Sequence, residues 1–181
     1  EIHEGVNFLL ASDEIIGHNI IDFDLPALEQ LGYLFSHSNW TPQLPKVTDT
    51  LVLSRLINTN LGDQDRIRNL KEEVLPPKLV GSHSLKSWGY RLGCHKGEYL
   101  AEHGYDQYSE GMLVYCVQDT EVTYRLYHDL WGQEWNPQCI QLEHEFATIM
   151  SEMSRHGFRF DKDKARDLYV TLSCRKLELR E

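Results

Sequence analysis

Cysteine is scarce in this chain of 181 residues. Cys94, Cys116, Cys139 and Cys174 lie far apart, with no C-x-x-C pair. That pattern excludes a disulfide scaffold and a zinc ribbon, and a reducing cytosol is the compartment that fits. No apolar run approaches the roughly 20 residues needed to span a bilayer, and no secretory signal is visible, so no membrane partner is expected. Basic excess is also missing, since the formal net charge is −10. This disfavours nucleic-acid binding through broad phosphate neutralisation. It leaves open an enzyme that holds phosphates through metal ions on carboxylates. The nine histidines include no H-x-x-x-H, and there is no internal repeat or low-complexity run. What is present is an apolar fraction of 41%, enough to build a core in one domain of ordinary size, with or without an extension.

The most informative stretch is Gly111 to Trp131, which has helical period. Met112, Tyr115, Asp119, Val122, Leu126 and Leu130 fall three or four apart and share one face. Asp119 is the anomaly on that face. An ionised carboxylate turned toward a core costs several kcal/mol unless something pairs with it. A metal ion is one such partner, and Tyr115 lies one turn earlier.

In chain order, the first twelve residues read as the tail of a helix. Ile15 to Asn19 reads as a short buried strand with a polar end that includes His18 and Asn19. Asp24 is expected to N-cap a helix opened by Leu25-Pro26, with its side chain free to face a site. Residues 36–46 read as a loop, and Asp49 as the N-cap of a short helix over Leu51 to Asn58. Leu61 to Gly81 is polar, mixed in charge and carries Pro76-Pro77, so it reads as a solvated loop. Ser84 to Leu92 is a helix with Trp88 inside and Gly93 as its stop, and 94–110 is an irregular insert. From Cys139 a helix with Leu142, Phe146, Ile149 or Met150, and Met153 inside runs to a stop at Gly157. Asp161 caps a last helix carrying Ala165, Leu168 and Leu172. The four tryptophans could stack bases, but core packing is the simpler use. For His18 a strand-end hydrogen bond is the simpler use, against orienting Asp24 or a phosphate.

Asp24 after a strand, Asp119 on a helix and a neighbouring Tyr115 fit phosphodiester hydrolysis by two metal ions. That chemistry needs several carboxylates around ions about 4 Å apart. Hard Mg²⁺ or Mn²⁺ suits oxygen ligands, and a tyrosine hydroxyl can hold the attacking water in line.

The same residues carry a family resemblance. Asn19, three residues, then Phe23-Asp24 resembles the second motif of the DEDDy 3′-to-5′ exonucleases. Tyr115, three residues, then Asp119 resembles the third. More specifically, the chain resembles the proofreading region of family A DNA polymerases from short-tailed bacteriophages. The ordered matches include Gly17-His18-Asn19, Asp49 to Leu56, Gly81 to Leu85, Trp88 to Gly93 and Lys96 to Tyr99. Beyond Pro137, Glu143-His144-Glu145 and Gly157-Phe158-x-Phe160-Asp161 resemble the helices that lead into the polymerase region.

The resemblance implies an α/β, ribonuclease-H-like fold, a mixed sheet with flanking helices, over residues 1–137. A helical connector would follow over 138–181. It implies two Mg²⁺ or Mn²⁺ ions in the complete site, with Asp119 on the first metal and Asp24 on the second. Tyr115 would position the nucleophilic water, with Asn19 and His18 beside the primer terminus. The implied partners are a single-stranded DNA 3′ end, a polymerase domain in the same parent chain and a processivity factor bound outside this segment. The setting would be the host cytoplasm.

One departure stands out. The family's Asp-x-Glu motif is absent ahead of Asp24, so the first strands are expected before Glu1, and this segment alone is expected to cleave poorly. Two alternatives follow. One is an RNase D-like exoribonuclease, and the other is a module that guides a strand without cutting it.

Overall fold

The computed structural model describes residues 2–32, 45–72, 74–94, 108–132 and 135–180. Most of the expected loop at 36–46 and of the insert at 94–110 lies outside them. The chain divides into two units, 1–151 and 152–181.

The first unit opens with α1 (Ile2–Leu10). Strand β1 (Glu14–Gly17), helix α2 (Asp24–Gln30) and strand β2 (Lys46–Asp49) follow. The two strands pair in parallel, with Ile15 opposite Val47 and Gly17 opposite Asp49. Parallel strands need a crossover connection, and α2 lies within it. Because both strands run the same way, their C-terminal ends emerge side by side. The residues after Gly17 and the end of β2 therefore meet at one edge, the position where open α/β sheets place ligands.

Asp49 caps α3 (Thr50–Ile57) as the sequence predicts, its carboxylate accepting the Leu51 N–H. The N-cap expected at Asp24 is not found. Phe23 occupies that position and Asp24 is the first helical residue.

The polar stretch after Leu61 is a second correction. Leu61–Glu72 is helix α4 rather than a loop. It lacks a continuous apolar stripe because a buried ion pair anchors it. Asp65 and Arg91 are both nearly inaccessible and joined by two hydrogen bonds of 2.9 and 2.7 Å. A turn at Pro77–Leu79 leads to α5 (Leu85–Arg91), capped by Ser84. Gly93 ends it with φ +67°, a left-handed conformation that favours glycine.

Helix α6 (Glu110–Trp131) is capped by Ser109. Its C-terminal half supplies the centre of the core, where Val122, Leu126 and Leu130 pack with Leu53, Leu61 and Trp88. Each such side chain contributes roughly 1.5–3 kcal/mol through burial. Met112, Tyr115 and Asp119 continue the same face but are only half-buried. Trp88 is a core residue, as expected, and its Nε1 donates to Ser54 Oγ at 3.0 Å.

Helix α7 (Pro137–His156) turns a different face inward from the one its apolar residues mark. Leu142, Phe146, Ile149, Met150 and Met153 are exposed. Ile140, His144, Ala147 and Ser151 are the less accessible positions. Small and polar side chains let this helix approach closely and hydrogen-bond, and that outweighs the apolar period.

In the second unit, Gly157 follows the helix with φ +70°. Asp161 caps α8 (Lys162–Glu178) by accepting the Lys164 N–H, as the sequence predicts. Leu168 and Leu172 are exposed. The architecture is α/β, with a parallel strand pair and helices among the described residues. No helix among them is long and apolar enough to cross a membrane.

Candidate active site

The paired strand ends are held together by one carboxylate. Asp49 is 2% exposed. Its Oδ1 accepts the backbone N–H groups of Asn19 and Leu51, each at 2.8 Å, and its Oδ2 accepts that of Ile21 at 3.2 Å. Buried carboxylates survive when they are hydrogen-bonded in this way. Asn19 takes φ +63°, which asparagine tolerates better than most residues. The chain therefore turns sharply after β1 and delivers Asp24 to the start of α2.

His18 sits inside this turn. Its Nδ1 lies 2.9 Å from Thr50 Oγ1, and the ring also hydrogen-bonds the backbone of His83. Thr50 Oγ1 in turn donates to the Gly17 carbonyl at 3.1 Å. The strand-end hydrogen bond expected of His18 is thus present. Burial pushes the His18 imidazole below its ordinary value, and Arg55 adds to this. The charges of Asp49 and Asp119, with the hydrogen bond to His83, pull the other way. His83 lies against Ser54, with Nδ1 2.6 Å from Oγ.

Asp24 lies within electrostatic reach of Asp49, and Asp119 within that of His18. Burial and then the nearby charge of Asp49 push the Asp24 carboxyl above the ordinary carboxylate range. Asp119 acts on His18 from α6, which packs against β1, α3 and α5. Tyr115 precedes it by one turn on the same half-buried face. Asp24 thus feels Asp49 at the strand ends, and Asp119 feels His18 from the neighbouring helix.

No protein-family model matches the chain. The DNA-directed DNA polymerase of Escherichia phage T7 is 35% identical over 199 aligned residues, which cover 91% of this chain and 28% of that polymerase. The DNA-directed DNA polymerase of Enterobacteria phage T3 gives the same figures. The chain is a relative of the phage DNA-directed DNA polymerases. It spans 28% of the length of these curated relatives.

Asp24 stands near the buried Asp49, whose charge adds to burial in disfavouring the ionised form of Asp24. Among the described residues, no three His, Cys, Asp or Glu side chains are grouped so as to hold a metal by themselves.

Sequence reasoning missed two features of the site. Asp49 was legible as a cap, but not as the acceptor for Asn19 and Ile21. His144 accepts the Asp49 backbone N–H at Nε2 over 2.9 Å, from 95 residues away. Spacing along the chain carries no signal for either contact.

Proposed function

We propose that residues 1–137 act as the 3′-to-5′ exonuclease part of a phage replicative DNA polymerase, and that 138–181 lead toward its polymerising part. The observation that supports this reading is that Asp24 starts α2 within electrostatic reach of Asp49 at the strand ends, while Asp119 and Tyr115 lie on α6, which packs against β1. The substrate is the single-stranded 3′ end of a primer. The fold that suits this role is ribonuclease-H-like, and the parallel β1–α2–β2 unit with α6 against β1 supports it. A processivity factor and the polymerising domain would act outside this segment.

In this mechanism Asp119 and Asp24 offer hard oxygen ligands, and additional acids complete the set from outside this pair. Two Mg²⁺ or Mn²⁺ ions, when bound, supply an acidified water and charge compensation at the leaving 3′ oxygen. Tyr115 holds the attacking water in line through its hydroxyl. Asn19 and His18 lie beside the terminal nucleotide, on a turn that Asp49 keeps rigid.

The test is hydrolysis of 3′-labelled single-stranded DNA with Mg²⁺ by the full natural chain. Asp119→Asn should reduce the rate by at least ~100-fold, since removing outer-sphere support alone costs 10–100-fold. Equal rates for the two proteins would overturn the reading. RNA of the same sequence should be cut more slowly, and a preference for the ribose would instead favour an exoribonuclease. A second reading, strand guidance without cleavage, draws on the lack of a self-sufficient metal-ligand group among the described residues. Tight DNA binding with no hydrolysis dependent on Asp119 would support it.

A further inference from the structure

We infer that His144 is a positioning residue for this site, setting the turn that carries His18, Asn19 and Asp24 through the backbone of Asp49. Its catalytic consequence rests on the exonuclease reading, whereas its structural consequence does not.

The hydrogen bonds fix the state of the ring. Nδ1 lies 2.8 Å from the Ile140 carbonyl. A carbonyl can only accept, so Nδ1 carries the proton. The Asp49 backbone N–H points at Nε2 over 2.9 Å. An N–H can only donate, so Nε2 keeps its lone pair. His144 is therefore a neutral imidazole in one tautomer, donating to its own helix and accepting from the last residue of β2.

The same face of α7 reaches the turn at two further places. Ala147 packs against the cluster of Ile15, Ile20 and Ile21. Ser151 Oγ donates to the Ile21 carbonyl at 3.3 Å in a buried setting. Ile21 is thus held at its N–H by Asp49 and at its carbonyl by Ser151, three residues before Asp24. Asp49 is in turn held at its own N–H by His144. If that acceptor is lost, a buried N–H is left unpaired. The carboxylate then loses the anchor from which it grips Asn19 and Ile21. This also accounts for the inverted burial of the helix, because its contact with the site is made by His144, Ala147 and Ser151.

The test uses the full natural chain with His144→Phe and His144→Gln. Phenylalanine keeps the ring without the acceptor, and glutamine restores an oxygen at a comparable reach. In His144→Phe the Asn19 and Ile21 amides should exchange hydrogen at least ~10-fold faster, the size expected for one lost buried hydrogen bond, while Leu126 and Leu130 are unchanged. On single-stranded DNA its kcat should fall ~10-fold with KM unchanged, as for other residues that orient a ligand without touching substrate. Glutamine should recover most of both effects. The inference is overturned if exchange at Asn19 and Ile21 does not change, if it rises uniformly with Leu126, or if glutamine is as damaging as phenylalanine. Should Asp119→Asn still hydrolyse DNA at the wild-type rate, the exonuclease reading falls and the exchange measurements alone decide the role of His144.

Discussion

The backbone N–H of Asn19 donates to Asp49 Oδ1 at 2.8 Å, and Asn19 itself sits at φ +63°. The two facts assign different needs to one residue. The left-handed conformation asks for asparagine or glycine, whereas any role beside the primer terminus asks for the amide side chain. Asn19→Gly should fold with nearly unchanged stability, and Asn19→Val should lose about 1–2 kcal/mol in urea unfolding. A fall in exonuclease rate in the glycine variant would then report on the side chain alone.

Asp49 joins three backbone donors on both sides of the strand pair. Asp49→Ala should cost about 3 kcal/mol or more, because buried N–H groups lose a charged acceptor. Asp49→Asn keeps one acceptor oxygen and should cost less. Chemical denaturation of the two variants checks the order.

The Asp65–Arg91 pair anchors α4. Arg91→Ala should destabilise by about 3–5 kcal/mol, leaving a buried carboxylate uncompensated, and the double change Asp65→Leu with Arg91→Met should be much milder. Burial pushes the Asp65 carboxyl up, but the hydrogen bonds from Arg91 and the Gly81 N–H, with the charge of Arg91, hold it below the ordinary range. A depressed acid stabilises the fold above its unfolded pKa, and that stabilisation is lost as pH falls through the folded value. Unfolding midpoints should therefore drop below about pH 4 in the wild type. The drop should be shallower in the double variant.

Asp24 has the opposite sign. Burial first, and then the charge of Asp49, raise its folded pKa. Folding thus disfavours its ionised form, and stability declines as pH rises from the unfolded value to the folded one. At neutral pH in EDTA, Asp24→Asn should melt slightly higher than wild type, while the proposed exonuclease reading expects it to lose hydrolysis. Thermal melts with and without Mg²⁺ check this, and added Mg²⁺ should raise the melting temperature of the wild type more than that of the variant.

Periodicity and capping chemistry were legible where one element settles its own fate. The face of α6, the Asp49 cap of α3 and the Asp161 cap of α8 all follow from local residues. The elements misread are those fixed by distant partners. Helix α4 looked like a loop because Asp65 replaces an apolar stripe with an ion pair to Arg91. Helix α7 looked apolar-in because its contacts with the site are polar or small, through His144 and Ser151. Asp24 looked like a cap because Pro26 follows it, yet Phe23 takes that place. For the site itself, Asp24 and Asp119 were singled out by type and motif. The buried Asp49 and the His144 behind it come from pairings 30 and 95 residues long.

The central claim is that Asp24 and Asp119 serve one divalent-cation site. The most direct measurement is anomalous diffraction from crystals of the full natural chain soaked in Mn²⁺. The account predicts a peak about 2.1 Å from a carboxylate oxygen of Asp119, with Asp24 on the same ion or bridged to its neighbour by water. A fully occupied Mn²⁺ site elsewhere, with none at Asp119, would contradict it.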